Sequence, residues 1–175
     1  MPSASCLKIG SEIGIHTDAR RGEPRDPPGT RPMEEPMSTD EANKTAVRDC
    51  FQQASQGNFD ALASIVTPEY VVHPEEVRGP GGLAEMVQGY RDAFTGLNVT
   101  IEQQFTEGDY VATRTTIRGR HEGDLMGAPP TGRDVEFMGL TISRCRDGKI
   151  EEEWELVDVT GLLRQVGALP DLAEA

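Results

Sequence analysis

Apolar positions along the chain change their spacing near Gly96. Before it they recur every three or four residues: Val47, Cys50, Phe51 and Ala54 form one stripe, and Leu83, Met86, Val87, Tyr90 and Phe94 another. That is the period of an amphipathic helix. Ser38-Thr-Asp-Glu41 has the spacing of a capping box ahead of the first stripe, and Gly57 ends it. Asn58 can open a short second helix through Ala61, Leu62 and Ile65, stopped by Pro68. Tyr70 to His73 reads as a short strand, and Gly79-Pro-Gly-Gly82 separates it from the second stripe.

Beyond Gly96 the period becomes two. Val99, Ile101, Gln103 and Phe105 alternate with polar residues, and Glu107-Gly-Asp109 supplies a turn. Val111, Thr113, Thr115, Ile117 and His121 then share one face, with Arg114, Arg118 and Arg120 on the other. A Gly/Pro-rich loop runs from Gly123 to Gly132. Val135 to Cys145 and Lys149 to Asp158 form a hairpin about Asp147-Gly148, and Leu162, Leu163 and Val166 close with a short helix. Helices first and an antiparallel meander second define an α+β domain, a curved sheet with helices on one face.

Composition sets the boundaries. Residues 1–37 hold six of the 12 prolines and none of the aromatics, so they bury too little to offset the entropy of ordering and read as a disordered extension. A translation start at Met37 is the other reading of that segment. Residues 38–170 form the domain and 171–175 a tail. With 17 Lys and Arg against 30 Asp and Glu, the net charge of -13 argues against a nucleic-acid partner. No apolar run reaches the length of a membrane span. Cys6, Cys50 and Cys145 are too scattered for a disulfide scaffold or a cysteine zinc site, which points to a reducing, cytoplasmic setting.

Chemistry concentrates in Lys149–Asp158. Strict alternation places Ile150, Glu152, Trp154, Leu156 and Asp158 on one face, and Lys149, Glu151, Glu153 and Glu155 on a solvated one. Glu152 and Asp158 then point toward apolar surroundings, where desolvation raises a carboxyl toward the range useful for proton transfer. Asp158 can equally cap the closing helix. His121 reads as an inward histidine and His73 as one at a strand end, each either structural or catalytic. Trp154 can be core filler or a cavity wall. Phosphate-binding glycine loops, a nucleophile elbow and metal-ligand spacing are missing. Gly127-Ala-Pro-Pro-Thr-Gly132 looks like the stiff rim of a pocket. Leu140 and Ile142 oppose Val135 and Phe137 in parity, so the sheet has a second apolar face suited to a homo-oligomer.

Several segments together resemble a known family. They are Asn43-Lys44, Gly57-Asn-Phe-Asp-Ala-Leu62, Tyr70-Val-Val-His73 and the run Arg118-Gly-Arg-His-Glu-Gly-Asp-Leu-Met-Gly-Ala-Pro-Pro-Thr-Gly-Arg133. Asp147-Gly-Lys-Ile-Glu-Glu-Glu-Trp154 and Asp158-x-x-Gly-Leu-Leu-Arg-Gln-Val-Gly167 complete the set. Over about residues 41–170 the chain resembles the SnoaL-like polyketide cyclases (ester cyclases) of the NTF2-like superfamily. The resemblance implies a cone, a strongly curved antiparallel sheet wrapped by helices around an internal pocket. It also implies an intramolecular aldol ring closure of a carbonyl-bearing substrate, with no metal or cofactor. An aspartate of the last strand would act as acid and base with histidine assistance. By position that aspartate is Asp158, with His121 and His73 assisting; the residue pattern itself adds Trp154, Leu156, Tyr90 and Glu152 as candidate substrate contacts. Glu153 stands where many relatives carry a histidine before the tryptophan. Two rivals remain: isomerisation or hydration in the same pocket, and a non-catalytic binding module.

Overall fold

A computed structural model describes residues 37–74 and 76–170; the expected extension (apart from Met37) and the tail lie outside these. The first helix, α1 (Thr39–Gln56), begins where Ser38 accepts a hydrogen bond from the Glu41 amide. It ends at Gly57, whose left-handed φ of 71° lets the amides of Gly57 and Asn58 reach back to Ala54 and Gln53. Asn58 caps α2 (Phe59–Ile65). The chain then extends as β1 (Val66–His73), longer than the four-residue strand expected, and turns into β2 (Val77–Arg78). Pro68 therefore lies inside the strand, three residues beyond the helix end.

Helix α3 (Gly79–Ala93) has no side-chain cap but carries Pro80 in its first turn. At about 1.5 Å per residue it is roughly 22 Å long, close to the five inter-strand spacings of about 4.8 Å that separate β2 from the opposite edge. It contacts β1 and β2 and delivers the chain to β3 (Phe94–Glu107) at that far edge. Strands β4 (Tyr110–His121), β5 (Asp134–Arg146) and β6 (Lys149–Val157) return as a meander, and α4 (Val159–Gln165) closes the fold. The six-stranded curved sheet has the order β2-β1-β6-β5-β4-β3. One correction applies: β1 pairs with β6 in parallel, so the sheet is mixed, although its other pairings are antiparallel.

Two apolar clusters support the sheet. In one, Val47, Cys50, Leu62, Leu83 and Val87 of the helices meet Val66, Tyr70, Val72, Val111, Cys145 and Ile150. In the other, Leu125, Leu162 and Val166 pack on Phe94, Val135 and Phe137. The β4 face expected from alternation is the inward one. In β3, however, the register shifts between Ile101 and Gln103, and Phe105 ends 65% exposed on the opposite face from that expected.

The loop after β4 is bound tightly to the end of α3. The amides of Glu122 and Gly123 both donate to the Ala93 carbonyl, and Leu125 and Ala128 bridge each other across Met126 and Gly127. Both central residues have positive φ, 53° and 86°, the geometry of a tight two-residue hairpin turn. A Cβ at Gly123 would lie 1.9 Å from the Asp92 carbonyl oxygen, which is backbone and cannot swing aside. Gly123→Ala is therefore expected to destabilise the fold by about 1–3 kcal/mol, the usual cost of overpacking, measured by chemical denaturation.

Candidate active site

The orientation of β6 is set by one extra residue. Ile150 lies opposite Cys145 and Glu152 opposite Arg144, so Glu151 has no cross-strand partner on β5. A bulge of this kind moves every later side chain to the other face. Ile150 is buried as strict alternation requires, but beyond it Glu153, Glu155 and Val157 turn inward while Trp154 and Leu156 turn outward.

Glu153 and Glu155 project into a cavity between the sheet and helices α1 and α3. It is partly open to solvent. Phe51 and Ala54 of α1, Leu83, Val87 and Tyr90 of α3, and Leu97, Val99 and Ile117 of the sheet line it with Cys50, Thr141 and the two glutamates. The wall is mostly apolar with a few converging polar groups, the ordinary make-up of a small-molecule pocket. An outer chamber, partly open to solvent, adjoins it. The two share Met86, Tyr90 and Glu155, and Leu125 and Met126 of the rim loop cover the outer one. Glu155 and Tyr90 thus stand at the throat.

Glu153 lies deeper, 7% exposed. The Ser143 hydroxyl donates to its Oε1 at 2.5 Å and the Tyr70 hydroxyl donates to its Oε2. Burial pushes the Glu153 carboxyl above its ordinary value, against the opposing pull of those two donors. The low dielectric extends to its neighbours. Burial, then the nearby glutamate charges, raise the Cys50 thiol well above its normal range, and burial takes Cys145 to about 11. The Tyr70 hydroxyl is raised by the same causes and stays protonated.

The residues singled out from sequence lie elsewhere, with one exception. Asp158 is exposed and caps α4, its Oδ1 accepting from the Gly161 amide at 2.8 Å. His121 is fully buried: its Nδ1 sits 3.0 Å from Thr131 Oγ1 and its ring lies 5.8 Å from that of Phe94. It fastens the rim loop to β4 and lines neither chamber. His73 is on the outer face, its Nε2 3.0 Å from Glu152 Oε1 and its ring stacked on Trp154 at 5.6 Å. Glu152 also binds Arg144 at 2.7 Å. Trp154 and Leu156 are 39% and 67% exposed. The expected inward face of Glu152, Trp154, Leu156 and Asp158 is therefore corrected by the bulge and by the end of the strand. Asp158, His121 and His73 do not converge on the cavity, and of the expected substrate contacts only Tyr90 lines it. Glu153 and Glu155 were assigned to solvent by alternation. The missed signal is that Ile150 and Val157, the apolar residues near the strand's two ends, have opposite parity.

A curved mixed sheet packed by helices around a mostly apolar pocket, with Glu153 and Glu155 of the last strand among its polar groups, defines the class as an α+β domain with an internal pocket. Comparison with known proteins gives the class its name. Residues 44–166 match the family model of the SnoaL-like polyketide cyclases, and the chain belongs to that family. It is similar to the aklanonic acid methyl ester cyclase of Streptomyces peucetius, 32% identical over 127 residues covering 69% of this chain and 88% of that protein. It is also similar to the nogalonic acid methyl ester cyclase of Streptomyces nogalater, 31% identical over 117 residues covering 63% and 87%. Among solved structures it resembles TsrD from Streptomyces laurentii, with a TM-score of 0.70, 26% identity and coverage of 77% of this chain and 100% of the other.

The burial of Glu153 has a thermodynamic consequence. A carboxyl whose folded value lies above its unfolded 4.5 contributes stability that is complete below 4.5 and is lost as pH rises through the folded value. Glu153→Gln does not titrate. The melting temperature of the wild type minus that of Glu153→Gln is expected to fall as pH is raised from about 4.5 through the folded value and to level off beyond it.

Proposed function

We propose that this protein is a cofactor-independent polyketide cyclase, closing a ring of a polyketide ester by intramolecular aldol condensation. The observation that carries the reading is a pair of glutamates, Glu153 and Glu155, on the inward face of β6 in a mostly apolar cavity. The names of the relatives supply the reaction class: both are methyl ester cyclases. A carbon flanked by two carbonyls is acidic enough for a carboxylate to deprotonate it, so the reaction requires little beyond a base and a shaped cavity.

In this reading Glu155, half-buried at the throat, takes the carbon-bound proton. Tyr90, on the same shared wall, stabilises the enolate oxygen. The enolate carbon attacks a second carbonyl of the same molecule. Folding the substrate so that the two carbons meet removes on the order of 7–11 kcal/mol from the barrier at best, and the apolar walls of α1 and α3 do this. Asp158 and His121 serve structure, as helix cap and loop anchor. Glu155→Gln is expected to lower kcat by about 10²–10⁴ on a polyketide methyl ester substrate. Asp158→Asn, an equally good cap, is expected to stay within about tenfold of wild type. Steady-state kinetics checks both, and a Glu155→Gln enzyme of nearly full activity would overturn the assignment. A polyketide ester that binds and is recovered unchanged would favour a carrier module.

A homo-oligomer is part of the proposal. Met138, Leu140 and Ile142 of β5 and Trp154 and Leu156 of β6 are all at least 39% exposed, and the register sets Leu140 against Leu156 and Ile142 against Trp154. A contiguous apolar face of this kind calls for a covering partner, and a second copy presenting the same face is self-complementary. Among the described residues no helix is long and apolar enough to cross a membrane. A cytoplasmic setting fits the unpaired thiols of Cys50 and Cys145. Ile142→Glu is expected to shift the mass measured by light scattering from oligomer to monomer; a monomeric wild type would refute the oligomer.

A further inference from the structure

The ring closure requires two proton transfers, one from carbon to a base and one to the oxygen of the carbonyl that is attacked. Resting on the cyclase reading, the base is Glu155, and the second group has not been assigned. Glu153 is two residues away on the same inward face, so the two Cβ atoms are separated by roughly 6.6 Å, about two strand residues of rise. That spacing suits groups acting at opposite ends of a short carbon–carbon–oxygen array. Their environments differ: Glu155 borders the open outer chamber, whereas Glu153 is enclosed at the cavity wall.

We propose that Glu153 is the general acid of the reaction, delivering its proton to the oxygen of the attacked carbonyl. The titratable and hydroxyl groups facing it are Tyr70 of β1, Cys50 of α1, Ser143 and Cys145 of β5 and Glu155 of β6. None of these is a cation that would hold Glu153 ionised. The Tyr70 and Ser143 hydroxyls each occupy one lone-pair site of the two carboxyl oxygens, and the transferable proton is held at a remaining site. Two carboxyls held in unlike surroundings, one enclosed and one beside the open chamber, can divide acid and base work between them.

The step balances. Glu155 takes the proton from carbon, and the electron pair left behind forms the new carbon–carbon bond. The carbonyl π pair moves to oxygen, which takes the proton of Glu153. The product is an isomer of the substrate. Glu155 then holds one proton more and Glu153 one fewer, and exchange with water through the open chamber restores both.

A purely structural Glu153, tying β1 to β5 through Tyr70 and Ser143, would leave the pH behaviour of catalysis unmoved by its loss once the protein is folded. The test compares wild type with Glu153→Gln, Tyr70→Phe and Ser143→Ala. Glu153→Gln is expected to lower kcat by about 10²–10⁴ with little change in KM and to abolish the alkaline limb of the kcat/KM profile. Tyr70→Phe and Ser143→Ala each remove a donor that favours the ionised form and are expected to move that limb to higher pH. Infrared difference spectra between wild type and Glu153→Gln, taken on the acid side of the alkaline limb, are expected to show a protonated carboxyl carbonyl band in the wild type alone. A Glu153→Gln enzyme with wild-type kcat and alkaline limb overturns the proposal and leaves the cyclase reading standing. The lack of the infrared band overturns it independently of turnover. A wild type that shows the band but cyclises no polyketide ester overturns the cyclase reading instead.

Discussion

The extra residue Glu151 in β6 is the constraint on which the rest of this site depends. Without it the strand would present Glu152, Trp154 and Leu156 to the helices and Glu153 and Glu155 to solvent. With it, two carboxyls enter the cavity and an indole moves to the outer face. The bulge sits near the Asp147-Gly148 turn, just after Ile150, so the buried contact of Ile150 with the core is kept while everything downstream changes sides. One unpaired residue thereby decides both the chemistry of the pocket and the apolarity of the opposite surface.

Burying Glu153 is costly, and the surroundings show how the cost is contained. Tyr70 from β1 and Ser143 from β5 converge on its two oxygens, so the group is satisfied from both neighbouring strands. The same contacts join the parallel β1–β6 pairing to the meander, and the polar cluster thus helps fix strand order as well as reactivity. A hydrophobic residue at this position would relieve the desolvation but leave two buried hydroxyls competing for partners. Retaining a carboxyl in such a place is understandable where it has a proton to transfer.

The rim of the pocket follows a different logic. Its proline-stiffened loop is held at one end by the Ala93 carbonyl and at the other by the buried His121–Thr131 pair. The histidine that the family resemblance suggested for catalysis is used to hold the wall that covers the outer chamber. The rim loop and the carboxyl-bearing strand are thus held in place by separate sets of contacts.

The local signals were readable from the chain alone. Ser38, Gly57 and Asn58 mark helix ends because capping is a short-range hydrogen-bond problem, and the inward face of β4 follows from simple alternation. Family membership was also legible, since its motifs lie in the loop and hairpin sequences themselves. The identity of the pocket carboxyls was not. Alternation carries a side chain's direction only as long as pairing is unbroken, and a bulge is set by the fit of two strands and a core, which no single segment encodes. The parallel addition of β1 to β6 was likewise decided by tertiary packing. There the competition between solvent and cavity is settled by which surfaces are already covered.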